Sequence, residues 1–181
     1  GSTATLVYAE HGISTTLCGI GTWQNQAGST SCNAASAGHY VYGTGATTQT
    51  ACTPGYYQPN TGQTTCIVAS TGYYVPNSGA VAQTAASPGY YVNASGSSFQ
   101  QACAAGTYQP SAAQNTCFAA NSGYYVPTAG QANMTICDVG TYQPNTGQTS
   151  CIDADPGNYV PNQGATAQSQ CLVGTYQPYS G

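Results

Sequence analysis

Nine cysteines are the residues in this chain best suited to chemistry, and their spacing narrows what they do. They stand at Cys18, Cys32, Cys52, Cys66, Cys103, Cys117, Cys137, Cys151 and Cys171, so the successive intervals run 14, 20, 14, 37, 14, 20, 14 and 20. Structural zinc sites cluster their ligands, commonly as two cysteines separated by two to four residues. Here no two cysteines are closer than 14, and neither His11 nor His39 sits beside a cysteine pair. A regular cysteine framework of this density points instead to disulfides and an oxidising compartment. The recurring interval of 14 pairs Cys18 with Cys32, Cys52 with Cys66, Cys103 with Cys117 and Cys137 with Cys151. Pairing across the longer gaps is inconsistent, because Cys32 and Cys52 stand much nearer along the chain than Cys66 and Cys103. Each bridge closes a loop of about 15 residues, worth roughly 3 kcal/mol in the chain-entropy treatment. Cys171 is left unpaired within the chain, its partner expected just past residue 181.

Other reactive groups are sparse. The acids are Glu10, Asp138, Asp153 and Asp155. Asp153 and Asp155 fall in a tight link, Ile-Asp-Ala-Asp-Pro-Gly, where two carboxylates are turn residues rather than the many-oxygen loop that calcium needs. Glu10 and His11 adjoin near the start with no nucleophile beside them. No Ser-His-Asp set is recognisable, so neither an enzyme nor a cofactor is expected. The chain has no Lys or Arg, and charged residues make up 2%. That excludes nucleic acid and anionic lipid as partners, since neither phosphate contacts nor a polybasic patch can be built. No apolar run is long enough for membrane insertion. No signal peptide is visible, so the sequence reads as a mature form.

The cysteines are positioned by a repeat. Gly21, Gly38, Gly55, Gly72, Gly89, Gly106, Gly123, Gly140, Gly157 and Gly174 recur at one constant interval, and each opens a 17-residue unit. Two places after each stands an aromatic: Trp23, Tyr40, Tyr57, Tyr74, Tyr91, Tyr108, Tyr125, Tyr142, Tyr159 and Tyr176. Seven places after each stands another Gly, with Ala113 the exception. Two kinds of repeat alternate. The first kind has a Cys three places before its opening Gly and, where the chain reaches, another eleven after it. The second kind has Ala35, Ala69, Ala86, Ala120 or Ala154 in the first place and Gln49, Gln83, Gln100, Met134 or Gln168 in the second. Two successive repeats of the second kind, at Gly72 and Gly89, show that the single unit is the module rather than the pair. In the second kind, the longer side chain is expected to reach over the Ala and fill the volume of the missing bridge.

Pro-Asn-Thr-Gly and Pro-Asn-Ser-Gly are turn sequences, since Pro pre-sets φ and Asn and Gly tolerate positive φ. Each repeat is therefore expected to be a strand, a four-residue turn and a returning strand. The fold class is all-β and irregular: an elongated tandem array of ten 17-residue β-hairpin units, disulfide-clamped in alternate units. A β-solenoid is the alternative. An isolated hairpin is marginal, so neighbouring repeats must cover one another. The aromatics are read as a structural ladder rather than a sugar-stacking platform. Residues 1–20 form an atypical N-terminal strand segment, with Ala4 to Ala9 its most strand-like run. Residues 21–181 form the repeats, the last incomplete. The strict register sets aside a disordered polar tract.

The pattern Cys-x-x-Gly-Thr-Tyr-Gln-Pro-x-x-Gly-x-x-x-Cys, found at Cys137 to Cys151 and in variant form elsewhere, resembles the ephrin-receptor-like cysteine-rich repeat. The resemblance covers Cys18 to Gly181. It implies an extracellular stalk or a long microbial surface protein without catalytic residues. This chain departs from the pattern in the repeats that lack cysteine, and near-identical repeats do not imply receptor-type ligand binding.

Two sequons are present, at Asn93 and Asn133. Hydroxyls recur at the turns as Thr44, Thr61, Ser78, Ser95, Thr146 and Ser180, each able either to carry sugar or to hydrogen-bond its own turn. The Thr spacing differs between repeats, which argues against an ice-binding face. The functional expectation is an extracellular, cell-surface or secreted structural protein, a rod, stalk or filament bearing covalent glycans. The alternative is an adhesin or receptor-like ligand-binding ectodomain, which should break repeat identity at one place. The partner expected is the chain itself. Either the sequence is a window of a longer array, or Ala4 to Leu17 of the next subunit docks beside Thr175 to Pro178 in a head-to-tail filament.

Overall fold

The computed structural model describes residues 5–7 and 14–180. Glu10, His11 and Gly181, with the rest of the run around Thr5 to Val7, lie outside the described residues. The described chain divides into two compact bodies. One runs to Thr84 and includes Ala94–Phe99; the other comprises Ala85–Asn93 and the chain from Gln100.

Among the described residues there are twenty short strands and no helix. Ahead of the repeats, Thr5–Val7 pairs antiparallel with Ser14–Thr16. In the repeat opening at Gly106, Thr107 pairs with Ala119 and Tyr108 with Phe118, also antiparallel. The same register returns as Thr22 with Ala34, Tyr56 with Val68, Tyr124 with Ile136 and Thr141 with Asp153. A β-solenoid would pair strands of successive coils in parallel. The registered pairs are antiparallel, each within its own repeat, so the chain is an all-β array of hairpins.

The loop inside each hairpin is longer than a four-residue turn. The whole run from Gln109 to Cys117 separates the paired positions Tyr108 and Phe118. The turn sequence occupies only the middle of that loop, and internal side-chain bonds hold the remainder.

Two-residue strands cannot stand alone, and backbone bonds between repeats support them. In the second body, Gly106 N–H donates to Val126 O at 2.8 Å, Gln109 N–H to Gln131 O at 3.1 Å, and Gly130 N–H back to Cys103 O at 2.8 Å. The first body repeats the set: Gly38 to Gln58, Val41 to Gln63 and Gly62 to Ala35, at 2.7, 2.9 and 2.7 Å. These bonds satisfy backbone groups that short strands would otherwise leave unpaired.

Within each body the core is built on small residues three positions before the opening glycines. Ala35, Ala69, Ala86, Cys103, Ala120, Cys137 and Ala154 are all fully inaccessible. Ala120 shows why the place must be small. Its N–H donates to Gly106 O in the repeat before, and its carbonyl accepts from Gly147 N–H in the repeat after, so three repeats converge on it. The opening glycines are constrained in the same way. Gly106 has φ of 82°, and a Cβ there would lie 2.2 Å from the Gly147 carbonyl oxygen. A second buried place recurs within each body three positions after the opening glycine, filled by Val75 and Val126 in the second kind of repeat and by Gln58, Gln109 and Gln143 in the first.

The aromatic ladder is not the core. Trp23 and the ladder tyrosines Tyr40, Tyr57, Tyr74, Tyr91, Tyr108, Tyr125 and Tyr142 are half-buried, while Tyr159 and Tyr176 are exposed. Within each body these rings do not stack on one another; the one ring pair among the described residues is Tyr108 with Phe118, centroids 6.1 Å apart. Successive residues of a strand point to opposite faces. The inward place belongs to the Val or Gln next along the chain, which leaves the aromatic to the side.

Candidate functional site

Eight of the ten repeats carry one clamp, in one of two chemical forms. In the first kind, a disulfide joins Cys18 to Cys32, Cys52 to Cys66, Cys103 to Cys117 and Cys137 to Cys151, with Cα–Cα distances of 5.6 Å in the first and 5.8 Å in the others. The leading cysteine is one of the small buried residues, and its partner closes the hairpin loop.

In the second kind, a glutamine amide takes over. The side-chain oxygens of Gln49, Gln83, Gln100 and Gln168 accept the backbone N–H of Ser36, Ser70, Ser87 and Asp155 at 2.7 to 2.8 Å. Each of those N–H groups follows the buried Ala that replaces the leading cysteine. The glutamines are half-buried and reach back across the link, so a polar bond rather than apolar filling replaces the bridge. Met134, at the equivalent place, is also half-buried, but its thioether is only a weak acceptor.

The first kind holds a further set of residues that reading by hydrophobicity overlooks. Gln109 is 1% exposed, yet both ends of its amide are satisfied. Its Nε2 donates to Thr116 O at 2.7 Å, and its Oε1 accepts Ser111 N–H at 3.1 Å. Gln58 and Gln143 make the same two bonds, to Thr65 and Asn60 and to Ser150 and Asn145. A buried polar group is tolerated only when paired in this way. The signal is present in the sequence, because Gln and Val alternate at this position in step with Cys and Ala.

The remaining candidates lie on the surface. Asn93, Asn133, Thr44, Thr61, Ser78, Ser95, Thr146 and Ser180 are all exposed. Cys171 carries a free thiol, half-buried, and its N–H keeps the repeat's bond to the Gly157 carbonyl. Asp153 and Asp155 do not converge on a common ligand. Asp155 Oδ2 accepts Gln168 Nε2 at 2.7 Å, which leaves it a link residue within the glutamine clamp, while Asp153 is an exposed strand residue opposite Thr141. Among the described residues, no three of His, Cys, Asp and Glu gather as metal ligands. Among the same residues, no helix is long and apolar enough to cross a membrane.

The family model described as tyrosine-protein kinase ephrin type A/B receptor-like matches residues 8–52 and 123–171, just over half of the chain. The chain belongs to this family. Both matched stretches of the ephrin-receptor-like chain contain a cysteine bridge and the start or whole of a cysteine-free repeat. A search among curated proteins returned no match. Ephrin-receptor-like repeats of this type are non-catalytic, and this chain is an extracellular or secreted domain of receptor-like or structural character.

Proposed function

We propose that the chain is a structural spacer: residues 21–181 form one tandem array, preceded by a distinct segment at 1–20, that acts as a rod, stalk or filament outside the cell. The observation that carries this reading is the repetition of the same three backbone bonds from one repeat to the next within each body. An array tied repeat to repeat along its length gains stability with each one added.

Its partners are further copies of itself and covalent sugar. Exposed Ile67, Phe118 and Ile152 recur on the returning strands, and only four acids oppose association. Low net charge favours such contacts. Asn93 and the exposed turn hydroxyls at Thr44, Thr61, Ser78, Ser95, Thr146 and Ser180 carry the glycans, keeping the surface soluble where charge does not.

Negative-stain imaging and intact-mass measurement on material secreted by its native source test the proposal together. Uniform rods whose length grows with added repeats, at a mass above that of the bare polypeptide, are the expected result. A compact particle overturns the spacer reading, and a mass equal to the polypeptide overturns the glycan reading.

A further inference from the structure

We propose that the first body holds a binding cleft for a neutral saccharide, formed where the repeat is locally broken. A cleft of about 310 Å³ lies among Tyr40, Tyr42, Tyr56, Thr50, Thr53 and Thr64. That volume falls at the lower end of the range of small-ligand sites. The break is Tyr42. Four places after the opening glycine, seven of the ten repeats have Pro, two have Asn, and this one alone has an aromatic. Tyr42 is 80% exposed and Tyr56 41%, so both offer ring surface to solvent.

The rim chemistry matches the same ligand. The hydroxyls of Thr22 and Thr107 are held by the link carbonyls of Gly19 and Ala104, each at 2.7 Å. Those of Thr50, Thr53 and Thr64 make no such bond within the described chain and remain available. A pyranose presents an apolar C–H face, suited to an aromatic ring, and a rim of hydroxyls that exchange hydrogen bonds with other hydroxyls. Charge decides what is refused. None of the four acids lines the cleft and the chain has no Lys or Arg, so an ionised ligand would lose its hydration without a counter-charge. A polyproline segment could also lie on aromatic rings. It has no use for three free hydroxyls, which favours the sugar.

The test is a nuclear magnetic resonance titration of the intact, disulfide-bonded chain with maltohexaose, cellohexaose, mannohexaose and chitohexaose. Decaproline and a sulfated oligosaccharide are run beside them. At least one neutral saccharide is expected to shift resonances of Tyr42, Tyr56 and Thr53, while the sulfated one does not. Tyr42→Pro restores the residue that most repeats carry and so retains the fold. It should weaken binding by about tenfold, the scale of one lost aromatic contact. Thr53→Ala should weaken it by a smaller factor, and Phe99→Ala, an exposed ring elsewhere in the same body, should leave it unchanged. Failure of all four saccharides overturns the proposal. So does equal affinity of Tyr42→Pro, or binding by decaproline in place of sugar.

Discussion

The side-chain oxygen of Gln83 accepts the backbone N–H of Ser70 at 2.8 Å, across the place where Cys103 and Cys117 are bonded in the repeat opening at Gly106. One scaffold thus accepts a covalent or a hydrogen-bonded clamp at equivalent positions. The two forms should be interchangeable. In Ala69→Cys/Gln83→Cys, the new cysteines have the same sequence separation, 14, as the four natural bridges. Peptide mapping without reduction should find a fifth bridge, and the urea midpoint should rise with roughly 3 kcal/mol of added stability. Free thiols at both positions after air oxidation would show that the two kinds of repeat do not superimpose.

The buried glutamines give a sharper contrast. Gln109→Leu keeps the volume but strands the N–H of Ser111 and the carbonyl of Thr116 beside an apolar side chain. Leaving such groups unmet costs about 1–3 kcal/mol each. Gln83→Leu removes a bond at a half-exposed place, where water can replace the partner, and should cost about 1 kcal/mol or less. Denaturation of the two variants side by side checks the order, and equal losses would rule out a special role for the inner amide.

The hairpin array itself was legible in the sequence. The regular return of Gly and aromatic, the turn residues and the constant interval of 14 between cysteines all act within a single repeat. What was hidden lies between repeats. Size and hydrophobicity point to the aromatics as the core, yet Ala120 is fully buried while Tyr125 is only half-buried. Three backbones meet at Ala120, and every repeat fills this place with Ala or Cys. No pattern within one repeat shows that Gly106 must admit the carbonyl of Gly147, which belongs to the second repeat after its own.

That approach between distant glycines can be tested with a matched pair. Both Gly89 and Gly157 have positive φ, 85° and 82°. A Cβ at Gly89 would lie 2.1 Å from the Gly130 carbonyl oxygen, whereas at Gly157 it meets nothing within 4 Å. Gly157→Ala should cost only the left-handed strain, about 1–2 kcal/mol. Gly89→Ala adds an overpacking term of about 1–3 kcal/mol. Amide hydrogen exchange should show protection lost at Gly89 and Gly130 in the second variant and retained there in the first. Loss of equal size in both would mean that strain alone, not the close contact, fixes these glycines.

Ala113 offers the opposite case, a position where the repeat departs from its own rule. It stands where the other repeats place their turn glycine, and it is the one non-glycine described residue with positive φ, at 60°. Its N–H still donates to the Ala86 carbonyl at 2.8 Å, the bond that turn glycines make to the small buried residues. The backbone has therefore held its shape against the preference of a Cβ, because that bond and the amide of Gln109 fix the loop on both sides. The strain is about 1–2 kcal/mol for an ordinary L-residue in this region. Part of it is offset by the greater freedom that glycine has when unfolded, about 0.4–1 kcal/mol. Ala113→Gly should accordingly stabilise the chain by about 1 kcal/mol. The measurement is a urea midpoint alongside Ala112→Gly, the neighbouring position, which has no positive φ to relieve and should be destabilised. A midpoint for Ala113→Gly that falls as far as that of Ala112→Gly would show that the loop carries no such strain.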